Sequence, residues 1–276
     1  MSNLETPADT KADKPATLNR PLRKRIKKVG KRLARRIAAY QSRQSLVPDE
    51  AFVDNAHFPF LEAFEERWEE IAEEARAVLK FRDAIPGFQD ISPDQYRLAT
   101  EKNWRTFVLF GFGTRCDRNC SHAPVTAQML ARVPNIQTAW FSILAPGYHI
   151  PAHEGVTNGI LRAHLGLIIP AEREKCRIRV GDVTKFWREG KVFVFDDTYN
   201  HEVWNDTDEE RVVLLFDFIR PMTRRGRALN WLFVRIMKMT AFYLEPKRNI
   251  EKYEDRFEAA VRRADALMES MGETPR

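Results

Sequence analysis

Three of the six histidines stand in settings where a metal could be held: His153 in His-Glu-Gly, His164 in Arg-Ala-His-Leu-Gly, and His201 in Asp-Asp-Thr-Tyr-Asn-His-Glu-Val-Trp. Any one alone reads as a structural or surface histidine. Together they point to metal chemistry, because imidazole suits borderline metals such as iron and a site with few protein ligands leaves positions open for small molecules. A carboxylate two residues after the first histidine would share its strand face. That position is Gly155, and Glu154 would point to the opposite face of an extended chain. The pattern therefore predicts a two-histidine site whose remaining position is filled by water or cosubstrate. Asp196 and Asp197, just ahead of His201, are candidates for orienting the imidazoles, or they are turn residues. Cys116-x-x-x-Cys120 with His122 resembles half a zinc knuckle, but no second ligand pair follows at suitable spacing.

The elements that position these residues are legible in outline. Short runs rich in β-branched and aromatic residues cover Trp104 to Phe110, Ile136 to Leu144, Leu161 to Ile169, Arg177 to Val180, Lys191 to Phe195 and Val212 to Phe218. Gly, Pro, Asn and Asp punctuate them, which predicts an antiparallel sandwich or barrel. Ahead of these runs, Phe60, Leu61, Phe64, Trp68, Ile71, Ala75 and Val78 mark a core-packing helix. The 276 residues, 43% of them hydrophobic, are enough for one sizeable domain with extensions at its ends. Three cysteines are no disulfide framework and fit a reducing compartment. Trp104, Trp140, Trp187 and Trp204 read as core aromatics and not as a base-stacking platform.

The stretch from His153 to Pro170, the stretch from Trp187 to Trp204, and Arg211 together resemble the aspartyl/asparaginyl β-hydroxylase family, over roughly Trp104 to Pro221. The resemblance implies a mainly β fold with flanking helices, a double-stranded β-helix of the jelly-roll, cupin-like kind. It implies Fe(II), 2-oxoglutarate as cosubstrate, and O₂, and the family includes members without the iron-binding carboxylate, in keeping with Gly155. By position, His153 and His201 correspond to the iron ligands and Arg211 to the anchor of the distal carboxylate of 2-oxoglutarate, for which a guanidinium fork is well shaped. Ser142 and His164 match further cosubstrate contacts. Arg162 matches one of two arginines that grip an acidic substrate in the peptide-hydroxylating members, and Ile160 stands in place of the other. The expected organisation is a tail and basic amphipathic helix over 1–47, the oxygenase domain with its leading helix over 48–221, and amphipathic helices over 222–276.

Two substrate classes follow from the resemblance: an acyl chain of a membrane lipid, as in the lipid A and ornithine-lipid hydroxylases of the family, or an aspartyl/asparaginyl residue or amino acid. A non-catalytic binding domain is the third reading, opposed by the intact histidines and Arg211. The net charge of +6 is unevenly placed, with eleven Lys or Arg and no acid between Arg20 and Arg43. Within that arm Leu22, Ile26, Val29, Leu33 and Ile37 recur at helical spacing. Such an arm suits an anionic partner, a phospholipid surface being preferred over nucleic acid, or else it is a solvated basic helix packed on its own domain. A second apolar run, Ala228 to Leu244, carries Arg235 and Lys238 at its centre and predicts an interfacial or core-docked helix. No signal peptide and no uninterrupted apolar stretch of about 18 residues occur. The expectation is a cytoplasmic protein, peripheral on the cytoplasmic membrane.

Overall fold

A computed structural model describes residues 36–99, 101–111 and 113–270. The tail and all but the end of the basic helix expected over Leu22 to Ile37 lie outside the described residues. In chain order the strands are β1 (Phe52–Val53), β2 (Trp104–Gly111), β3 (Thr114–Arg115), β4 (Ile136–Leu144), β5 (Tyr148–His153), β6 (Ile160–Ile168), β7 (Cys176–Val180), β8 (Val183–Phe186), β9 (Val192–Phe195), β10 (His201–Asn205) and β11 (Arg211–Ile219). The helices are α1 (Glu62–Glu66), α2 (Trp68–Leu79), α3 (Phe88–Ile91), α4 (Asp117–Ser121), α5 (Pro124–Leu130), α6 (Arg224–Met237) and α7 (Ala241–Ser270). From Tyr40 onward the chain forms one unit.

Two antiparallel sheets face each other. The larger has the order β1-β9-β6-β11-β4-β2-β3 and the smaller β5-β10-β7-β8. Apart from the β7–β8 hairpin, consecutive strands thus alternate between sheets after β4, which is the double-stranded β-helix. The six expected runs become β2, β4, β6, β7, β9 and β11, each within one residue at either end.

Period-two alternation on the large sheet divides the core. Along β11, Val212, Leu214, Phe216 and Phe218 face one side, packed with Phe141 and Ile143 of β4 and Leu161, Ala163, Leu165 and Leu167 of β6. That side is covered by α2, whose Ile71, Ala72, Ala75 and Val78 recur at helical spacing and are buried in the same cluster. Phe64 of α1 stacks on Phe216 with ring centroids 5.0 Å apart. The other side faces the small sheet, where Val213 and Leu215 meet Ile150, Ile178, Val180 and Val203. It is this inner side that also carries Ser142, His164, Arg211 and Asp217.

The leading helix differs from expectation in being broken. Arg67, at φ −110 and ψ 21, separates α1 from α2. The Ala228 to Leu244 run is likewise split: α6 starts earlier, where the Thr223 side chain caps the Gly226 N–H, and α7 begins at Ala241.

Because Phe216 is fully buried between α1 and the large sheet, Phe216→Ala should destabilise the protein by ~3–5 kcal/mol in urea unfolding. A loss below 1 kcal/mol would mean that the helical layer does not hold this sheet.

Candidate active site

The two ligand candidates are delivered by neighbouring strands of the small sheet. His153 and His201 are direct cross-strand partners, and their ring centroids lie 4.1 Å apart. A bulge makes this possible: Val203 pairs with Ile150, so two steps along β10 correspond to three along β5. The extra residue falls at Pro151 or Ala152, and it turns His153 to the same inner face as Ile150. Proline suits the irregular position because it has no N–H to leave unpaired.

Each ring is held by a backbone carbonyl two residues upstream. His153 Nδ1 lies 2.8 Å from the Pro151 oxygen and His201 Nδ1 2.9 Å from the Tyr199 oxygen. A carbonyl only accepts, so each Nδ1 carries the proton and donates it. The Nε2 lone pairs are left for a metal. Orientation thus falls to main-chain oxygens, that of Asp197 adding to that of Tyr199 at His201, and not to the carboxylates of Asp196 or Asp197. Burial lowers the pKa of both imidazoles, His201 to about 3, with His153 adding to its shift.

Gly155 has no room for a ligating side chain. A Cβ there would meet Asp197 Oδ1 at 2.1 Å, and its N–H donates to the Asp197 carbonyl at 2.6 Å. The Asp197 carboxylate is largely withdrawn from water, which raises its pKa, and it lies 3.4 Å from Arg162. Asp196 turns the other way, accepting from Thr198 and pairing with the fully buried Arg220. Among the described residues no group of three or more His, Cys, Asp or Glu is placed to hold a metal ion. Cys116 and Cys120 are buried thiols, pushed up by burial to about 12 and about 11. His122 contacts Glu258 at 2.6 Å. Cys116 packs with Ile250 of α7, while the Cys120 thiol donates to the Leu109 carbonyl of β2 at 3.3 Å.

Deeper in the barrel lies Arg211, 1% exposed. Its Nη1 is 3.5 Å from Ser142 Oγ, its guanidinium carbon lies 4.7 Å from the Trp187 ring centroid, and its Nε has no partner. No described carboxylate pairs with it, and burial lowers its pKa to about 10. His164, beside it, has neither ring nitrogen hydrogen-bonded, and the Trp187 indole N–H is also unpartnered. Buried polar atoms are nearly always satisfied. Three unpartnered ones lie beside this buried cation, in addition to its own Nε, and together they could receive an anion with several acceptor atoms. Sequence reasoning placed Trp187 only in the core; the structure adds its indole N–H to this pocket.

A cavity of about 320 Å³ opens from His153. Phe88, Ile91, Leu98, Trp104, Val108 and Trp140 give it apolar walls, and Ile250 of α7 lines it as well. Phe88 stacks on Trp104 at 4.0 Å, which fixes one wall. The polar groups near the histidines are mutually engaged: Arg162 donates to both oxygens of Asp217 at 2.7 and 2.9 Å, and Thr138 Oγ1 donates to Asp217 at 2.5 Å. Asp217 went unremarked in the sequence. Its signal was there, since 211, 213, 215 and 217 share one face of β11.

A double-stranded β-helix with paired strand histidines above a buried arginine defines the class of protein. The aspartyl/asparaginyl β-hydroxylase family model matches residues 65–221, and the chain belongs to that family. It is 41% identical over 206 residues to an ornithine lipid ester-linked acyl 2-hydroxylase of Rhizobium tropici, covering 75% of this chain and 73% of that protein. It is 35% identical over 173 residues to the human aspartyl/asparaginyl beta-hydroxylase, covering 61% of this chain but 22% of the human protein. Among solved structures a Pseudomonas putida prolyl-4-hydroxylase matches at 16% identity and a TM-score of 0.30, over 47% of this chain and 80% of that chain.

The lowered histidine pKa values have a stability consequence. Between about pH 6.5, where an unfolded histidine titrates, and about pH 3, where His201 titrates in the fold, the unfolded chain binds more protons than the folded one. Stability contributed by the neutral imidazoles is therefore full above pH 6.5 and is lost as pH falls. The melting temperature of metal-free protein should drop from pH 6.5 to 4, and less steeply in His201→Asn. Parallel profiles for the two proteins would count against the buried neutral His201.

Proposed function

We propose that the chain is an Fe(II)- and 2-oxoglutarate-dependent hydroxylase acting on an ester-linked acyl chain of a membrane lipid. The observation that carries the reaction class is the unpaired, buried Arg211 below two histidines whose Nε2 atoms are free. The residues fit the implied groups: two fixed imidazoles suit a divalent iron, and the orphaned donors around Arg211 suit a dicarboxylate.

Iron(II) with 2-oxoglutarate and O₂ supplies the oxidising power to hydroxylate a C–H bond, leaving succinate and CO₂. His153 and His201 would hold the iron through Nε2, with the Pro151 and Tyr199 carbonyls keeping both rings in the required tautomer. Arg211 takes the distal carboxylate of the cosubstrate, and the Ser142 hydroxyl and His164 add hydrogen bonds. The Trp187 ring covers the guanidinium and keeps water from it, which strengthens the ion pair. The apolar walls exclude water around the carbon to be oxidised.

The substrate reading rests on the cavity. Its walls suit an alkyl chain, and its cationic member, Arg162, is already balanced by Asp217 and Asp197. A substrate carboxylate would enter a site without spare positive charge. An acyl carbon at position 2 instead lies next to a neutral ester carbonyl. The name of the Rhizobium tropici relative describes such a reaction, and the match spans most of both chains. The alternative, an aspartyl or asparaginyl residue, is favoured by Arg162 itself if it exchanges partners. No described helix is long and apolar enough to cross a membrane, and a peripheral place on the cytoplasmic membrane would bring the cavity to its lipid.

The purified protein should convert 2-oxoglutarate to succinate with iron and a membrane lipid extract, and mass spectra should show ester-linked chains with one added oxygen. His153→Ala and His201→Ala should each lose this turnover, since no spare protein ligand is at hand. Near-wild-type turnover in either variant would remove that residue from the site, and oxygen added to peptides alone would move the substrate to the alternative.

A further inference from the structure

Helix α6 buries one face and leaves the other in solvent. Gly226, Asn230 and Val234, four residues apart, are buried. Trp231, Leu232 and Ile236 are 62%, 48% and 55% exposed, and Met239, just past the helix, is 75% exposed. At about 100° per residue these side chains share the arc opposite Asn230 with Arg224, Arg225 and Arg235. The Arg235 guanidinium carbon sits 5.3 Å from the Trp231 ring centroid. From Arg224 to Leu244 there are five Lys or Arg and no acid.

A helix that merely faces water shows charge outward and hides its large apolar residues. Interleaved indole, branched aliphatic and guanidinium groups suit the boundary of an anionic bilayer, where rings and aliphatics enter the headgroup layer and cations meet phosphate.

The buried face of α6 reaches the active-site rim. Asn230 Nδ2 donates to the Gly159 carbonyl at 2.9 Å, and its Oδ1 accepts from Gln41 Nε2 at 2.9 Å. Thr157 Oγ1 donates to Gln41 Oε1 at 3.1 Å. The segment 154–157 lines the cavity that opens from His153, and Val156 on it is 58% exposed.

We propose that the outer face of α6 docks on an anionic phospholipid bilayer and that the Asn230 contacts hold the cavity rim against that surface. An acyl chain would then pass from bilayer to cavity without crossing water. Only this last consequence rests on the acyl reading; the docking itself is independent of the chemistry at His153.

The three native cysteines are buried, so a polarity-sensitive thiol dye can report from one introduced cysteine at a time. Leu232→Cys, Val156→Cys and, on exposed α2, Glu73→Cys are made in the full chain and mixed with phosphatidylcholine vesicles with or without phosphatidylglycerol. With phosphatidylglycerol present, the dye should shift to the blue at 232 and 156 but not at 73, and added salt should reverse the shift. Trp231→Glu with Ile236→Glu should weaken vesicle sedimentation on the order of tenfold, because both side chains leave the apolar layer, with the melting temperature unchanged. A dye at 232 that stays in water while the protein sediments overturns the docking face. A shift at 232 without one at 156 overturns the placement of the rim, and equal shifts on uncharged vesicles overturn the charge argument. None of these readings requires turnover, so a failed hydroxylase assay leaves them intact.

Discussion

A guanidinium buried without a carboxylate is the constraint around which the barrel is organised. Among the described residues three other arginines are buried or nearly so, and each has a carboxylate: Arg220 has Asp196, Arg162 has Asp217 and Asp197, and Arg105 has Asp83. Arg211 has instead a serine hydroxyl at the limit of hydrogen bonding, the Cys176 thiol, an indole face, and an Nε with no acceptor. Leaving a charge unpaired at such depth costs several kcal/mol. That cost is sustained by the extensive apolar layer between the large sheet and α1 and α2. Under the proposed function it is readiness for an anion, which gains more from a dry, preformed cation than from one already hydrated.

The remaining geometry follows from two backbone devices. Period-two alternation on β4, β6 and β11 sends Ser142, His164 and Arg211 to the inner face while their neighbours pack outward. The bulge in β5 adds one residue against β10 and thereby aims His153 at His201. The end of β10 is held in turn by buried Asn205, whose side-chain amide donates to the carbonyls of Leu144, Ala145 and Glu209. That clamp ties β10 to the end of β4 and to the turn leading into Arg211, so the histidine and arginine levels of the site keep a fixed relation.

The large sheet was legible because its strands are long and their apolar runs are bounded by turn residues. The strands that carry the histidines were not. Pro151 and the bulge break the alternation of Tyr148 to His153, and His201 to Asn205 is short and interleaves Glu202 and Trp204 with its buried residues. The family resemblance singled out those histidines where periodicity could not. Arg67 as a break between α1 and α2 was hidden because the apolar spacing continues across it. The balance of charge around Arg162 was also invisible, since Asp217 lies 55 positions away in sequence and comes alongside only through the β6 and β11 register.

The most direct test of this account compares unfolding free energies of wild type and Arg211→Met, with and without 2-oxoglutarate, in the presence of manganese(II). Without the cosubstrate, the methionine variant should be as stable as wild type or more so, because an unpaired charge is replaced by an apolar chain of similar length. With the cosubstrate, only wild type should gain stability. A methionine variant that is strongly destabilised on its own, yet still stabilised by 2-oxoglutarate as wild type is, would contradict the reading of Arg211 as a cation kept for an absent anion.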